Sequence, residues 1–258
     1  MARFSANLTM LFNEVPFPAR FREAAQAGFS AVEYTFPYRY PKLLLADLLQ
    51  ENGLSQALFN LPAGDWEGGE RGIACLPDRV TEFRVGVGEA IAYATALRCT
   101  KLNCLIGITP SGPSLSEVRQ VLVANLRFAA ELLREAGIQL MVEPINTFDT
   151  PGFYLNRSRQ ALELMDEVGS DNLYLQYDVY HMQRMEGELA RTIRDNINRI
   201  GHMQIADNPG RHEPGTGEIC YPFLFRLLDQ IGYQGWIGCE YRPKEGTRGG
   251  LHWIEDLS

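Results

Sequence analysis

Four polar residues each close a short apolar run of this sequence, and their types are those that bind a hard divalent cation. They are Glu143 in IQLMVEPIN, Asp178 in LYLQYD, Gln204 in GHMQIAD and Glu240 in WIGCEY. Successive members are 35, 26 and 36 residues apart, which is about the length of one strand–helix unit. Three carboxylates brought together repel one another and resist desolvation unless a cation neutralises them. The pattern therefore predicts a divalent metal site with these four residues as ligands.

A divalent cation between two glutamates suits proton transfer next to a carbonyl group. The cation would hold the carbonyl and hydroxyl oxygens of an α-hydroxy carbonyl substrate and stabilise the enediolate formed when a C–H proton leaves. One carboxylate removes that proton, and the other handles a proton at the neighbouring carbon or oxygen. Glu143 and Glu240 are the candidates for this pair. The sequence has no GxSxG motif and no cysteine next to a histidine, so a nucleophilic mechanism has no support.

Each of the four residues also has a structural interpretation. Glu143 and Glu240 can be surface carboxylates at strand ends, Asp178 can cap a loop or a helix, and Gln204 can satisfy backbone groups. Two glutamates at equivalent strand ends favour the functional interpretation, because the carboxyl ends of barrel strands carry the chemistry as a rule. His202, two residues before Gln204, is expected to point to the same side but deeper, as a core or supporting residue.

Further polar residues near the predicted strand ends are candidates for substrate binding. They are His181, Arg211, Asn60, Glu70 and Arg71. We expect His181 at the start of a loop, three residues after the aspartate ligand. Arg211 follows the seventh predicted strand and can hold a substrate carboxylate with two hydrogen bonds. Glu70 and Arg71 belong to a long loop and can bind substrate or pair with each other.

The elements that must position these residues alternate between strand and helix along the whole chain. Eight short apolar runs bounded by turn residues predict buried strands, at Phe4–Leu8, Ala31–Tyr34, Ser55–Asn60, Lys101–Ile106, Gln139–Glu143, Leu173–Asp178, Ile200–Ala206 and Trp236–Glu240. Helices are predicted near 16–27, 41–52, 80–98, 116–136, 158–168, 187–199, 221–231 and from 249 onward. With 258 residues, this pattern predicts an α/β fold, a single (β/α)8 TIM barrel over residues 1–258.

Two predicted loops are too long to be plain connectors, at residues 61–79 and 207–219. They follow the third and the seventh strand, so we expect both on the face where the strand ends meet. Long structured loops on that face are typically lids or substrate-binding elements.

Composition narrows the class of protein. The net charge is −8 and no basic run occurs, so a nucleic-acid partner is not expected. No apolar run approaches the length of a membrane span, and the N-terminal residues do not resemble a signal peptide. Five scattered cysteines without a CxxC pair predict a reducing, cytoplasmic location. The oligomeric state stays open, a homo-oligomer included.

Several long motifs resemble the hydroxypyruvate isomerase family, part of the xylose-isomerase-like barrel superfamily. They are RFSANLTMLF at 3–12, NLPAGDWEGGERGIACLP at 60–77, VEPIN at 142–146, QYDVYHMQRMEG at 176–187, HMQIADNPGRHEPGTGEI at 202–219 and GYQGWIGCEY at 232–241. The resemblance implies a metal-assisted aldose–ketose type isomerisation between hydroxypyruvate and 2-hydroxy-3-oxopropanoate (tartronate semialdehyde), a small hydroxy-oxo acid. It implies Glu143 and Glu240 as acid and base. It also implies Mg²⁺ or Mn²⁺ on Glu143, Asp178, Gln204 and Glu240.

The same scaffold leaves alternative substrates open. A 2-oxo-tetronate isomerase shares the barrel and the metal site, and a sugar 3-epimerase is the third possibility. Epimerases of the superfamily usually carry histidine where this chain has Gln204, which favours the isomerases. In those epimerases a histidine and an arginine contact substrate at the positions of His181 and Arg211. An endonuclease IV-like phosphodiesterase would need several metals and many histidine ligands, whereas this chain has four histidines.

Overall fold

Eight parallel strands form a closed barrel in sequential order in the computed structural model, which describes residues 2–257. Each strand is bonded to the next, and β8 closes on β1. The strands are β1 (Arg3–Asn7), β2 (Ala31–Glu33), β3 (Ser55–Asn60), β4 (Lys101–Cys104), β5 (Gln139–Val142), β6 (Leu173–Asp178), β7 (Ile200–Ile205) and β8 (Trp236–Cys239). The predicted (β/α)8 barrel is therefore confirmed.

Helices surround the barrel between successive strands. They are α1 (Phe17–Gln26), α2 (Lys42–Glu51), α3 (Val80–Leu97), α4 (Leu115–Glu135), α5 (Ser158–Val168), α6 (Val179–Met185), α7 (Leu189–Asn196), α8 (Tyr221–Gln230) and α9 (Trp253–Leu257). The predicted helix 187–199 was wrong in extent, since it is α7 followed by a 3-10 turn at Ile197–Arg199. The C-terminal stretch is likewise a 3-10 turn at Arg248–Leu251 and then α9.

Helix α4 illustrates how the outer layer is held. Ser114 caps its N-terminus by accepting from the Glu117 backbone N–H, and Glu117 bonds back to Ser114. Its buried side chains recur at helical spacing and pack into the core, among them Val118, Leu122, Leu126, Ala129 and Leu133. Burying a leucine in this way contributes about 1.5–3 kcal/mol. The helix ends before Gly137, whose φ of 72° supplies the left-handed turn into β5.

The regular strand register is interrupted at two places that matter for the interior. One shift lies between Val32 and Glu33 in the β2–β3 pair, and the other between Leu175 and Gln176 in the β6–β7 pair. Such irregularities re-aim side chains and are common near active sites. Both Glu33 and Gln176 are buried. Both also contact the side chain of Gln204 in the site described below.

Within residues 2–257 the structure contains no helix that is both long and apolar enough to span a membrane. The longest helix, α4, is amphipathic and lies on the outside of the barrel.

Candidate metal centre and active site

The predicted ligands converge at the carboxyl ends of four adjacent strands. Asp178 is the last residue of β6 and Gln204 lies in β7, directly paired with it. Glu143 and Glu240 each follow the last residue of their strands, β5 and β8. One side-chain atom from each of Glu143, Asp178, Glu240 and His181 lies within 4.8 Å of the others, and all four residues are buried.

Asp178 caps a helix with one carboxylate oxygen and leaves the other oxygen facing the cluster. Its Oδ1 accepts from the backbone N–H groups of Tyr180 and His181, at 2.7 and 3.2 Å, and so caps α6. Its buried Oδ2 has no hydrogen-bond partner among the described residues. The nitrogen atoms nearest to Oδ2 are His181 Nε2 and Arg211 Nη2, each at 3.6 Å. A buried acceptor oxygen without a hydrogen bond, facing other carboxylates, is what a cation ligand requires.

The helix that Asp178 caps was not predicted. His181 was expected at the start of a loop, and that expectation was wrong, since His181 lies in the first turn of α6. The helix is only seven residues long, and its start depends on the Asp178 carboxylate. The cap therefore fixes where His181 faces relative to the predicted metal ligands.

Glu143 has one oxygen held and one oxygen open. Its Oε2 accepts from Asn103 Nδ2 at 3.0 Å and from Gln176 Nε2 at 2.9 Å. Its Oε1 faces His181 Nε2 at 4.0 Å. Asn103 Nδ2 also donates to Asn60 Oδ1 at 3.1 Å. These contacts hold the carboxylate plane while one oxygen remains available for a proton or a cation.

Gln204 is held at both ends of its amide. Its Nε2 donates to Glu33 Oε1 at 2.8 Å, and its Oε1 accepts from Gln176 Nε2 at 2.6 Å. The amide oxygen of Gln204 therefore faces Gln176 and Glu143. This is the orientation that the predicted role of Gln204 as a metal ligand requires. The second lone pair of that oxygen remains for a cation.

The pKa values of the three carboxylic acids in the cluster, Glu143, Asp178 and Glu240, are all raised. Burial raises the pKa of Glu143 well above its ordinary value, and the charges of Glu240 and Asp178 raise it further. Burial likewise raises the pKa of Asp178, although Arg211 opposes the change. Burial raises the pKa of Glu240 to about 8, against the opposing charge of Arg211. Three buried acids with raised pKa values indicate that the protein alone supplies too little positive charge to balance the three ionised carboxylates.

Arg211 is the cation that the chain itself brings to the cluster. Its Nη2 donates to Glu240 Oε2 at 2.5 Å and lies 3.6 Å from Asp178 Oδ2. Its backbone has a φ of 57°, a left-handed conformation that is unusual for a residue with a side chain. Strain of this kind concentrates at functional sites. Arg211, predicted as a substrate-carboxylate contact after the seventh strand, therefore lies beside two of the predicted metal ligands.

The loop that carries Arg211 is organised around Asp207. The buried Asp207 carboxylate accepts four backbone N–H bonds between 2.9 and 3.1 Å, from Asn208, Gly215, Gly217 and Ile219. Gly217 has no room for a side chain, because a Cβ there would lie 2.2 Å from the Asn208 carbonyl oxygen. The GTG segment at 215–217 is therefore part of a loop anchor.

His181 is neutral and fixed in orientation. Burial lowers its pKa well below the ordinary value, and the charges of Arg211 and Arg184 lower it further. Its Nδ1 lies 2.6 Å from the Asn146 side-chain nitrogen. Its Nε2 faces Asp178, Glu143 and Arg211. His181 thus presents one ring nitrogen to the space between the predicted ligands.

The remaining predicted substrate residues divide into two groups. Asn60 lines the cavity at the strand ends together with Glu143, Gln204 and Glu240. Glu70 pairs with Arg79 at 2.6 Å instead of with Arg71. Arg71 donates to the Trp66 and Glu70 carbonyl oxygens, and its guanidinium lies 4.3 Å from the centre of a Trp66 ring. In this conformation the contacts of Glu70 and Arg71 are made within the loop 61–79.

Sequence reasoning missed the polar residues that hydrogen-bond to the predicted metal ligands or to His181. These are Asn7, Glu33, Asn103, Asn146 and Gln176, all buried. Glu33 closes the apolar run SAVE just as Glu240 closes WIGCE, so the same signal was present. Gln176 precedes Asp178 by two residues and therefore points to the same side of β6. His202, expected as a core or supporting residue, donates its Nε2–H to Glu33 Oε2 at 2.8 Å.

Fold and site together define a (β/α)8-barrel enzyme with a buried cluster of carboxylates and a histidine that can hold a metal ion at the carboxyl ends of its strands. A family model described as xylose isomerase-like TIM barrel matches residues 21–257. The chain is 56 % identical over 255 residues to the hydroxypyruvate isomerase of Escherichia coli strain K12, covering 99 % of each sequence. It is 46 % identical over 255 residues to a 2-oxo-tetronate isomerase of Cupriavidus necator, covering 99 % of this chain and 98 % of that one.

Similarity extends to solved structures. A crystal structure described as an AP endonuclease of family 2 from Brucella melitensis superposes with a TM-score of 0.97 at 44 % identity, covering 99 % of both chains. The chain therefore belongs to the xylose isomerase-like TIM barrel family and, within it, to the hydroxypyruvate isomerase family. It is an enzyme of the isomerase class.

Proposed function

We propose that this protein interconverts hydroxypyruvate and 2-hydroxy-3-oxopropanoate. The observation that supports this most directly is the pair of buried glutamates, Glu143 and Glu240, whose carboxylate oxygens lie within 4.8 Å of each other and of an Asp178 oxygen. The reaction moves a proton from C3 to C2 of the three-carbon acid and a second proton from O3 to O2. No electron leaves the substrate, so two carboxylates and a charge-stabilising site are sufficient.

A divalent cation, Mg²⁺ or Mn²⁺, completes this proposal. Oxygen donors are those that both ions prefer, and the residues that would hold the cation are Glu143, Asp178, Gln204 and Glu240. When bound, the cation lowers the cost of negative charge on the two neighbouring substrate oxygens. The raised pKa values of the three acids and the unpaired Asp178 oxygen fit such a group.

The chain's own side chains then have separate tasks. Glu143, with Oε1 open, and Glu240 take and return the proton at C3 and C2. His181 directs Nε2 at the substrate oxygens, and Arg211 holds the substrate carboxylate with its planar fork. Asn60 adds an amide at the same cavity. Burial of the whole cluster strengthens each of these electrostatic contacts.

A 2-oxo-tetronate isomerase is the second candidate. It is favoured by the 46 % identity to the Cupriavidus necator enzyme of that name over nearly the whole chain. Its substrates share the 2-oxo acid end and are one carbon longer, so the same carboxylate pair would serve. A sugar 3-epimerase is less favoured, since the seventh strand carries Gln204 where the epimerases usually have histidine.

A phosphodiesterase acting on nucleic acid is the poorest match to the site, although one similar structure is described as an endonuclease. Within the described residues, a single histidine joins the carboxylate cluster, and the net charge is −8. We therefore propose a small hydroxy-oxo acid as the partner of this site and no nucleic acid or membrane. A cytoplasmic location and a homo-oligomer remain predictions.

One experiment separates the candidates. The purified protein would be incubated in D₂O with hydroxypyruvate, with 2-oxo-tetronates or with D-fructose, and products followed by ¹H NMR. We expect the highest kcat/KM with hydroxypyruvate, together with deuterium at C2 of the aldehyde product. A higher kcat/KM with 2-oxo-tetronates would assign the second function, and inversion at C3 of the ketose would assign the third.

A further inference from the structure

Glu33, at the end of β2, holds a carboxylate that lies entirely inside the barrel. Four side-chain groups surround it. Ser5 Oγ and His202 Nε2 lie 2.8 Å from its Oε2. Gln204 Nε2 at 2.8 Å and Asn7 Nδ2 at 3.2 Å donate to its Oε1. A carboxylate surrounded in this way is an acceptor toward every neighbour.

The barrel makes room for this carboxylate. A Cβ on Gly238 of β8 would lie 2.2 and 2.4 Å from the two Glu33 oxygens. The register shift between Val32 and Glu33 turns the side chain inward at the same level. The position of the carboxylate is thus determined by the backbones of two strands on opposite sides of it.

The carboxylate determines which end of the Gln204 amide faces the ligand cluster. An amide end in contact with a carboxylate must be the nitrogen, so Gln204 Oε1 is turned away from Glu33 and toward Gln176. Gln176 must then offer its nitrogen, which lies 2.6 Å from Gln204 Oε1 and 2.9 Å from Glu143 Oε2. Two amides thus link Glu33 to Glu143, because Gln204 donates to Glu33 and Gln176 donates to both Gln204 and Glu143.

The orientation of the neighbouring Asn7 amide follows the same rule independently. Its Oδ1 accepts from the Thr9 backbone N–H at 3.0 Å, so its Nδ2 faces Glu33 Oε1 and Glu240 Oε1, each at 3.2 Å. The carboxylate of Glu33 is therefore surrounded by amides whose nitrogens point at it and whose oxygens point away.

We propose that Glu33 is a positioning residue that presents the Gln204 oxygen to the cation and, through Gln176, holds Glu143 in place. This inference rests on the proposed metal site. Only the oxygen end of an amide can bind a cation, because an N–H group turned toward the cation repels it. Glu33 removes that ambiguity without touching substrate or metal.

The test measures the affinity for Mn²⁺ alone, by electron paramagnetic resonance or calorimetry, in the metal-depleted full-length protein. Glu33→Gln keeps the shape and removes the obligate acceptor. We expect Mn²⁺ binding to weaken about 10–100-fold, as for other residues that orient metal ligands. Ser5→Ala is the matched control, because it removes one bond to the same carboxylate and leaves the Gln204 contact; its Kd should stay near that of the unaltered protein.

A second experiment, in a Gln204 variant, tests whether the effect of Glu33→Gln on Mn²⁺ affinity depends on the Gln204 amide. In Gln204→Glu the side chain at position 204 ends in two equivalent oxygens, so it needs no orientation. There, adding Glu33→Gln should not weaken Mn²⁺ binding, since the new amide can donate to the introduced carboxylate. Equal weakening in both backgrounds would show that Glu33 acts only through its charge, and it would overturn the proposal.

The remaining outcomes separate this inference from the proposed function. If the unaltered protein binds no Mn²⁺, the metal site fails and the role of Glu33 with it. If the unaltered protein and Glu33→Gln bind Mn²⁺ equally, only the role of Glu33 fails. Should Glu33→Gln lose its native circular dichroism, Gly238→Ala displaces the same carboxylate from the other side, and weakened Mn²⁺ binding is expected there too.

Discussion

The side-chain nitrogen of Asn146 lies 2.6 Å from Nδ1 of His181, and this contact sets which nitrogen of the ring bears the proton. Asn146 Oδ1 accepts from the Phe148 and Asp149 backbone N–H groups, at 3.1 and 2.9 Å. The other end of the amide, facing His181, is therefore NH₂, a donor. Nδ1 of the neutral ring must accept, so Nε2 carries the hydrogen. Although His181 is near enough to bind a cation, in this tautomer its Nε2 is a donor that faces the carboxylates of Glu143 and Asp178.

Asn146→Asp should reverse this tautomer. A carboxylate next to Nδ1 requires an N–H there, so Nε2 would lose its hydrogen and the donor to substrate. We expect a fall in kcat/KM of about ten- to a hundredfold, equivalent to roughly 1.5–3 kcal/mol. The ¹⁵N chemical shifts of His181 report the tautomer directly. Asp149→Asn is the control, because it alters the other partner of Asn146 Nδ2, at 3.0 Å, while keeping the Asn146 amide itself; unchanged ¹⁵N shifts in Asn146→Asp would contradict the assignment.

The raised pKa values make the stability of the metal-free protein depend on pH. The pKa of Glu240 is about 8, compared with 4.5 for an ordinary glutamate. Between these values the native state binds more protons than the unfolded chain, so stability falls as pH rises. Melting temperature with a chelator present should therefore fall between pH 5.5 and pH 8.

Added Mg²⁺ or Mn²⁺ should reverse that loss, because it binds the ionised form. The rise in Tm on adding metal is expected to be larger at pH 8 than at pH 5.5. In Glu240→Gln the pH dependence with chelator should be reduced, since that group no longer titrates. A metal-induced rise in Tm of the same size at both pH values would count against a cation on these carboxylates.

Glutamine substitutions should separate activity from stability. Glu143→Gln and Glu240→Gln should each lose about 10²–10⁴-fold in kcat, as expected when a general acid or base is removed. With chelator present, Glu143→Gln should raise Tm, because it relieves a buried carboxylate and offers an N–H toward Asp178 Oδ2; about 1 kcal/mol corresponds to roughly 2–4 °C.

Glu240→Gln should not gain stability in the same way, because Arg211 would lose the carboxylate it contacts at 2.5 Å. The two variants therefore serve as controls for each other in thermal unfolding. Near-normal turnover by either folded variant at saturating metal would remove that glutamate from the proton transfer.

Arg211→Lys should weaken kcat/KM for hydroxypyruvate about ten- to a hundredfold, because lysine lacks the planar fork that holds a carboxylate. Arg71→Lys is the matched comparison. The Arg71 guanidinium stacks on Trp66 and its hydrogen bonds stay within the loop 61–79, so a smaller loss is expected. Mn²⁺ affinity should be retained in both. A larger loss in Arg71→Lys would assign the substrate carboxylate to the loop after β3.

The sequence predicts the barrel well because alternating apolar runs and helical patterns repeat over the whole chain. Leu173–Asp178 and Ser55–Asn60 were predicted at the bounds that the structure has. The helix α6 was not, because it is short and begins inside the same apolar run that ends β6. Its start depends on a side-chain cap, which no periodicity reveals.

The clustering of Glu143, Asp178 and Glu240 at strand ends could be predicted, whereas the residues that contact them could be predicted less well. Glu143 and Asp178 each stand at a recognisable end of an apolar run. Asn103 and Gln176 lie within strands, and a polar residue there has no visible partner until the strands are placed side by side. Tautomers and amide orientations, as in Asn146, follow from backbone N–H groups that only the folded chain brings together.

The Asp207 carboxylate, which gathers four backbone N–H groups of the loop 207–219, has a consequence for how this enzyme can diversify. A one-residue insertion between Asn208 and Ile219 would move donors out of reach, so the length of this loop is fixed. In the loop 61–79 residues 72–75 are buried, whereas residues 65–69 at its tip are exposed, and this tip tolerates change more readily. New substrate ranges are therefore expected to arise by remodelling the loop after β3, while the loop that carries Arg211 is inherited intact.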